Sequence, residues 1–192
     1  HQKVFNTSAL KLLFINRETT KDYDFVEKND KYNRLLGIEY DLNSKDNVWN
    51  GRFFAYNSFS PLEDEDGFSG GARIRKQTRK HKINFEYSYL GDDYRTDLGI
   101  LRRVGASKFC PYYEYTVFPK KGKLNNISFG FYYWLWFNLN SNTENILENN
   151  FNIPVVFTFN NQSEIQIMYR KTSQYFGKNF DPTGMNKENP LA

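Results

Sequence analysis

Apolar and polar residues alternate with a period of two along several stretches of this chain. In 82–90 (KINFEYSYL), Ile83, Phe85, Tyr87 and Tyr89 fall on one side and Lys82, Asn84, Glu86 and Ser88 on the other. In 32–42, Tyr32, Leu36, Ile38, Tyr40 and Leu42 oppose Asn33, Gly37, Glu39 and Asp41. In 127–137, Ile127, Phe129, Phe131, Tyr133, Leu135 and Phe137 share a side, with Ser128 and Gly130 opposite. In 163–171, Ile165, Ile167 and Tyr169 oppose Glu164, Gln166 and Arg170. Such alternation predicts strands with one apolar and one polar face. Less regular alternation adds 4–16, 48–58, 72–78, 108–118 and 151–160, about nine strands in all. No stretch carries a convincing helical period; 143–150 (TENILENN) is the best candidate, and it is short.

The connections sort by length. Those near 43–47, 79–81, 119–125 and 160–163 are short, those near 17–31, 59–71, 91–107 and 138–150 are long, and the two kinds alternate. If each connection reverses the chain, every short turn lies at one end of the sheet and every long loop at the other. With strands of roughly 9–11 residues, this asymmetry predicts an all-β, antiparallel up-and-down transmembrane β-barrel. A soluble β-sandwich or closed barrel alternates in the same way. Two features favour the membrane. The apolar rows are long and aromatic, with Tyr near strand ends, as a lipid-facing band with girdles requires. The opposite rows hold Asn, Ser, Glu, Lys and Arg, which suits a wet interior.

Composition narrows the classes. The 192 residues hold one domain or part of a larger one, and the 18% aromatic content suits pleated sheet. The formal charge of +4 is modest and its basic residues are spread along the chain, so no nucleic-acid partner is expected. Cys110 is the single cysteine, which excludes a disulfide framework and a cysteine-based zinc site. His1 and His81 have no partner at metal-ligand spacing, and neither metal nor cofactor is expected. No apolar run reaches the roughly 18 residues a membrane helix needs. Strand-like sequence begins directly at His1, so a mature chain or an internal piece is expected.

Several clusters invite chemistry. Gly91-Asp92-Asp93 with Asp97 offers carboxylates to a hard cation, but Gly and Asp are turn residues first, and the EF-hand spacing is absent. The expectation is a structural loop at the barrel rim, pinned by Arg102 or Arg103 to Asp92, Asp93 or Asp97. Gly67-Phe68-Ser69-Gly70-Gly71 spells the G-x-S-x-G of a nucleophile elbow, without the helix that should follow it. Residues 73–82 form the densest basic stretch and read as a solvated hairpin, or as a positive interior wall or headgroup anchor. Tyr132, Trp134 and Trp136 make strand 127–137 aromatic on both faces. They are the best place to look for a ligand, since such a row stacks on sugar rings as well as it packs.

The run YLGDDYRTDLGILRRVG (89–105), followed by KFCPYYEYTVFPKKGKLNNISFG (108–130), resembles the barrel region of a family of Bacteroidota outer-membrane proteins. These carry a domain of unknown function of the DUF5916 type, usually behind a carbohydrate-binding-family-9-like domain. Gly91, Asp92, Asp93, Tyr94, Gly99, Arg102 and Arg103 match its turn and Gly-hydrophobic-x-Arg segment. Phe180-Asp181-Pro182-Thr183 resembles its FDPT segment, and Ile15-Asn16-Arg17 an earlier Asn-Arg turn. The resemblance implies a segment of a longer barrel in a bacterial outer membrane. Its function would be non-enzymatic, in transport, envelope assembly or glycan handling, with membrane lipid, other outer-membrane proteins and glycan as partners. Two alternatives stand beside it: a secreted soluble β-sandwich or barrel binding carbohydrate through the aromatic face, and a glycan hydrolase using carboxylates such as Glu86 and Glu114.

Overall fold

The computed structural model describes residues 2–4, 7–21, 24, 27, 30–61, 67–97, 99, 103–138 and 146–175. The chain forms one antiparallel sheet in strict up-and-down order. Its strands are β1 (Gln2–Val4), β2 (Ser8–Glu18), β3 (Tyr32–Asn43), β4 (Trp49–Phe59), β5 (Phe68–Gln77), β6 (His81–Leu90), β7 (Ala106–Val117), β8 (Leu124–Phe137), β9 (Ile146–Phe159) and β10 (Glu164–Gln174). β1 is a three-residue addition to the nine predicted strands. The best helix candidate fails: Ile146–Asn150 open β9, and 143–145 lie outside the described residues. Ile15, Asn16 and Arg17 sit inside β2 and form no turn.

All short connections do fall at one end and all long ones at the other. Closure into a barrel, however, is not seen. Among the described residues β10 pairs only with β9, and β2 pairs with β3 and with the short β1. The sheet is open.

The cross-strand register carries the residue rows from β2 to β10 on one face, except at the β8–β9 register shifts between Leu124 and Asn126 and between Trp136 and Phe137. Leu12 faces Ile38, Ile38 faces Ala55, Phe53 faces Ala72, and Ala72 faces Tyr87. Tyr87 then faces Phe109, Phe109 faces Leu135, Phe129 faces Val155, and Val155 faces Ile167. This is the apolar face, and it is the open one. Among the described residues, every exposed large apolar side chain within β2–β8 lies on it, Leu12 at 75% and Phe14 at 67% exposure among them. Aromatic pairs stitch it together, with Phe85 edge-on to Phe109 (5.1 Å) and Tyr115 to Phe129 (5.6 Å).

The opposite face is polar and sheltered. Its buried residues include Asn33, Ser58, Ser69, Thr116 and Asn152, with Leu35 and Trp136 the large apolar ones. That contrast is what a sheet curled toward its polar side produces. Ion pairs line it in rows: Asp41 takes Lys11 and Arg52, Glu114 takes Lys82 (2.7 Å), and Glu86 takes Lys108 (2.8 Å). Opposite charges placed directly across a ladder favour this register over its one-residue slip, which would exchange the two faces.

Gly37 is required by close packing on this face. The Tyr56 ring lies where its Cβ would be, and Tyr56 Oη donates to Glu39 from there. Gly37→Val should therefore destabilise the sheet by about 1–3 kcal/mol through overpacking, measured by chemical denaturation; an unchanged midpoint would refute this packing.

Candidate functional site

Two regions of the sheltered face have the makings of a site: the mouth at the long-loop end and the aromatic floor along β6–β8. At the mouth, the β6–β7 connection does not stand up as a rim. It runs back across the polar ends of β5, β4, β3 and β2. Gly91 N donates to Phe68 O (2.9 Å), Arg95 N to Ser58 Oγ (3.1 Å), and Asp97 N to Asn33 Oδ1 (3.2 Å). The Asn33 amide donates in turn to Arg95 O (3.2 Å). Tyr94 is buried beneath this strap.

Two arginines hold Asp97. Arg17 of β2 donates through Nε (2.8 Å) and also through Nη2, and Arg95 donates through Nε (2.7 Å). Arg95 Nη2 reaches Asp30 at 2.9 Å. Burial raises the Asp97 pKa, but the hydrogen bonds from Arg17 and Arg95 outweigh it and hold the carboxyl below its usual range. On the other side Arg103 Nη2 lies 3.5 Å from Glu148 of β9. The connection thus braces β2–β4 and β9 at once. Of the expected pinning by Arg102 or Arg103 to Asp92, Asp93 or Asp97, the described pairs are different ones: Asp97 takes Arg17 and Arg95, and Arg103 takes Glu148. Arg102 lies outside the described residues. Asp92 and Asp93 occupy the exposed turn after Gly91. Gly105, at φ +65°, donates to Gly91 O and closes the loop where a Cβ would strike Asp92.

Along the floor, Tyr132, Trp134 and Trp136 do share the sheltered face, as their spacing predicts, and Trp136 is buried. Tyr112 of β7 stands directly across from Tyr132. The Lys108 ammonium sits 5.5 Å from the centre of the Trp134 ring. A groove of about 410 Å³ is lined by Arg75, Lys82, Asn84, Tyr112 and Tyr132. It continues into a second of about 190 Å³ at Lys108, Cys110 and Trp134. The ladder is weakened here, because Pro111 has no N–H to give. β7–β8 pairing skips Cys110 and Pro111 opposite Trp134 and Tyr133, and β8–β9 pairing skips Gly130 and Phe131 opposite Pro154 and Ile153.

Two solvent-excluded side-chain atoms among the described residues lack a hydrogen-bond partner, Asn84 Oδ1 and Trp134 Nε1, and both belong to this floor. Each such orphan costs about 1–3 kcal/mol. Sequence reasoning found the Trp row and named Arg75 and Lys82 only within the basic stretch; it missed Asn84 and Tyr112, because what joins these residues is the register between strands.

The remaining candidates do not assemble. Ser69 is buried inside β5, with no strand–turn–helix elbow around it. His81, 3.1 Å from Tyr113 Oη, lies at the far end of β6 from Ser69's partner Leu90, about 30 Å along the strand. Glu86 and Glu114 stand opposite Cys110 and Lys82, about 13 Å apart along the ladder, and each already binds a lysine. Paired glycosidase carboxylates sit roughly 5–9.5 Å apart. The basic stretch divides between faces: Arg73 and Arg75 lie on the polar face and are exposed, Lys76 lies over Trp49 (5.2 Å), and Arg79 stacks on Phe118 (4.5 Å). No group of metal-ligating side chains occurs among the described residues. A further depression, about 860 Å³, lies on the open face among Tyr113, Phe129, Phe131, Phe151, Ile153 and Val155, and its walls are almost wholly apolar.

Because the Asp97 carboxyl is held below its ordinary pKa, the strap's contribution is complete above about pH 4 and is lost as pH falls through the lowered value. Amide exchange protection at Arg95 and Asp97 should fall in that acid window, and Asp97→Asn should lower it by about 1 kcal/mol at neutral pH. Equal protection in both proteins would show that the backbone contacts alone hold the strap.

No curated protein and no solved structure matches this chain. Residues 2–188 match the model of a family described as a domain of unknown function, DUF5916. That match spans nearly the whole chain, and the protein belongs to the DUF5916 family.

Proposed function

We propose that this sheet is part of the wall of a transmembrane β-barrel in a bacterial outer membrane. Acyl chains cover the open face and water fills the sheltered side. Its role is non-enzymatic, in moving or handling envelope material such as glycans. One observation carries the reading: the large apolar side chains of the strands point away from the sheltered side, and among the described residues no second layer covers them. A soluble domain of this size buries such residues.

Other features support it. Strands β2–β10 run 10–14 residues, enough for a tilted crossing of the hydrocarbon layer. Tyr40, Trp49 and Tyr115 stand near the short-turn ends of their strands and Tyr87 and Tyr89 near the long-loop end, at the levels where aromatic girdles lie. No helix among the described residues is long and apolar enough to cross a membrane. An unpaired strand edge is not tolerated in hydrocarbon. The edge of β10, and that of β2 beyond the three residues β1 covers, are therefore joined by further strands, and this sheet is a segment of a larger barrel.

Ile167 and Gln166 are neighbours on β10, on opposite faces and both exposed in the isolated sheet. In a bilayer, Ile167→Arg should cost about 2–4 kcal/mol of insertion and cut the yield of folded, heat-modifiable protein on unboiled gels. Gln166→Arg should leave that yield unchanged. Equal behaviour of the two variants, in protein that purifies without detergent, would overturn the membrane reading in favour of a secreted carbohydrate-binding module.

A further inference from the structure

We infer that the floor between β5 and β8 is a binding site for an anionic saccharide, a sugar ring bearing a carboxylate or phosphate group. This goes beyond the bilayer reading and does not depend on it, because the groove exists on the sheltered face whatever covers the other side.

Three properties of the groove select the ligand. The first is its flat aromatic surface, made by Tyr112, Tyr132 and Trp134. Such faces attract the apolar C–H side of a ring. The second is the orphan pair. Asn84 Oδ1 calls for a donor and Trp134 Nε1 for an acceptor, a few residues apart on one face. A hydroxyl supplies both roles, and a hydroxylated ring that lies flat can present one hydroxyl to each. A purely apolar or purely anionic ligand would leave at least one orphan unpaired.

The third is charge. Lys82 and Lys108 are matched by Glu114 and Glu86, so their ion pairs cancel. Arg75 of the groove and Arg73 beside it on β5 have no ion pair among the described residues, and Arg73 stands in register between Arg52 and the already paired Glu86. The surplus is positive, and a guanidinium fork suits a carboxylate or phosphate on the ring.

Both orphan atoms are closed to water, so the ligand must displace a side chain to reach them. Lys108 is placed for this: its head covers the Trp134 ring and pairs with Glu86. The interrupted β7–β8 ladder beside Pro111 leaves the local backbone freer to yield.

The test is a titration of the purified chain, followed by tryptophan fluorescence, with oligogalacturonate, glucose 6-phosphate, maltohexaose and inorganic phosphate. Saturable changes with the acidic sugars, at least tenfold weaker with the neutral oligosaccharide and absent with phosphate alone, are expected. A response to oligogalacturonate alone identifies a carboxylated ligand, and a response to glucose 6-phosphate alone a phosphorylated one. Arg75→Gln should weaken acidic-sugar binding about tenfold, and weaken it more than it weakens binding of the neutral oligosaccharide. Trp134→Phe keeps a stacking ring but removes the orphan N–H, so it should weaken binding three- to tenfold and raise the melting temperature of the unliganded protein. Silence toward every saccharide, equal affinity for acidic and neutral sugars, or undiminished binding in both variants would overturn the proposal. Whether the chain needs detergent does not enter this result, so the site and the membrane placement stand or fall separately.

Discussion

Backbone hydrogen bonding between sequence neighbours is the constraint on which the rest of this structure depends. Each of β2–β9 pairs with the strand before and the strand after it, and the described residues contain no second layer. A sheet of this kind can satisfy its backbone internally, but it cannot hide both of its faces. One side must meet some environment directly, and here that side is Leu, Ile, Phe and Tyr. The usual solution of folding a helix or second sheet over the apolar rows is not taken by the described residues. On the reading proposed above, acyl chains take the place of that layer.

The sheltered side is organised by charge and hydrogen bonding. Its ion pairs run across the ladder, so they reinforce the register that hydrogen bonding sets. None is deeply buried, and each alone contributes about 0–1 kcal/mol. Their collective effect is on specificity: a one-residue slip would bring Asp41, Glu39 and Lys11 to the apolar side and Leu12, Ile38 and Tyr40 to the polar one. Against this background of satisfied groups, the floor around Trp134 stands out. Two of its polar atoms, Asn84 Oδ1 and Trp134 Nε1, are unpaired, and its ladder is interrupted beside prolines on both flanks of β8. Local shortfalls inside an otherwise consistent structure are where function commonly resides.

The β6–β7 connection shows how the two regions join. It begins and ends in the middle of the sheet, yet its hydrogen bonds reach β2 on one side and an ion pair reaches β9 on the other. The long-loop end of the sheltered side is thereby partly covered, while the short-turn end carries only tight turns.

Much of this was legible from residue order. Period-two alternation located nine of ten strands and assigned Tyr132, Trp134 and Trp136 to one face. The alternation of connection lengths predicted the two unlike ends. Errors clustered where local signals are weak: TENILENN carried no strand alternation, yet its second half is held in β9 by pairing with β8 and β10. The loop's partners were out of reach, since Arg17 and Asp97 are 80 residues apart. Any arginine near the acids in sequence looked equally suitable.

Amino-acid order by itself determined the strands, their up-and-down succession and the sorting of side chains to two faces, because side-chain direction in a strand follows from backbone geometry one residue at a time. Tertiary structure decided which face is sheltered, that among the described residues β1 and β10 do not meet, and which atoms of Asn84 and Trp134 are left without partners. Those outcomes depend on curl and register accumulated over many strands, and no single stretch of sequence contains that sum.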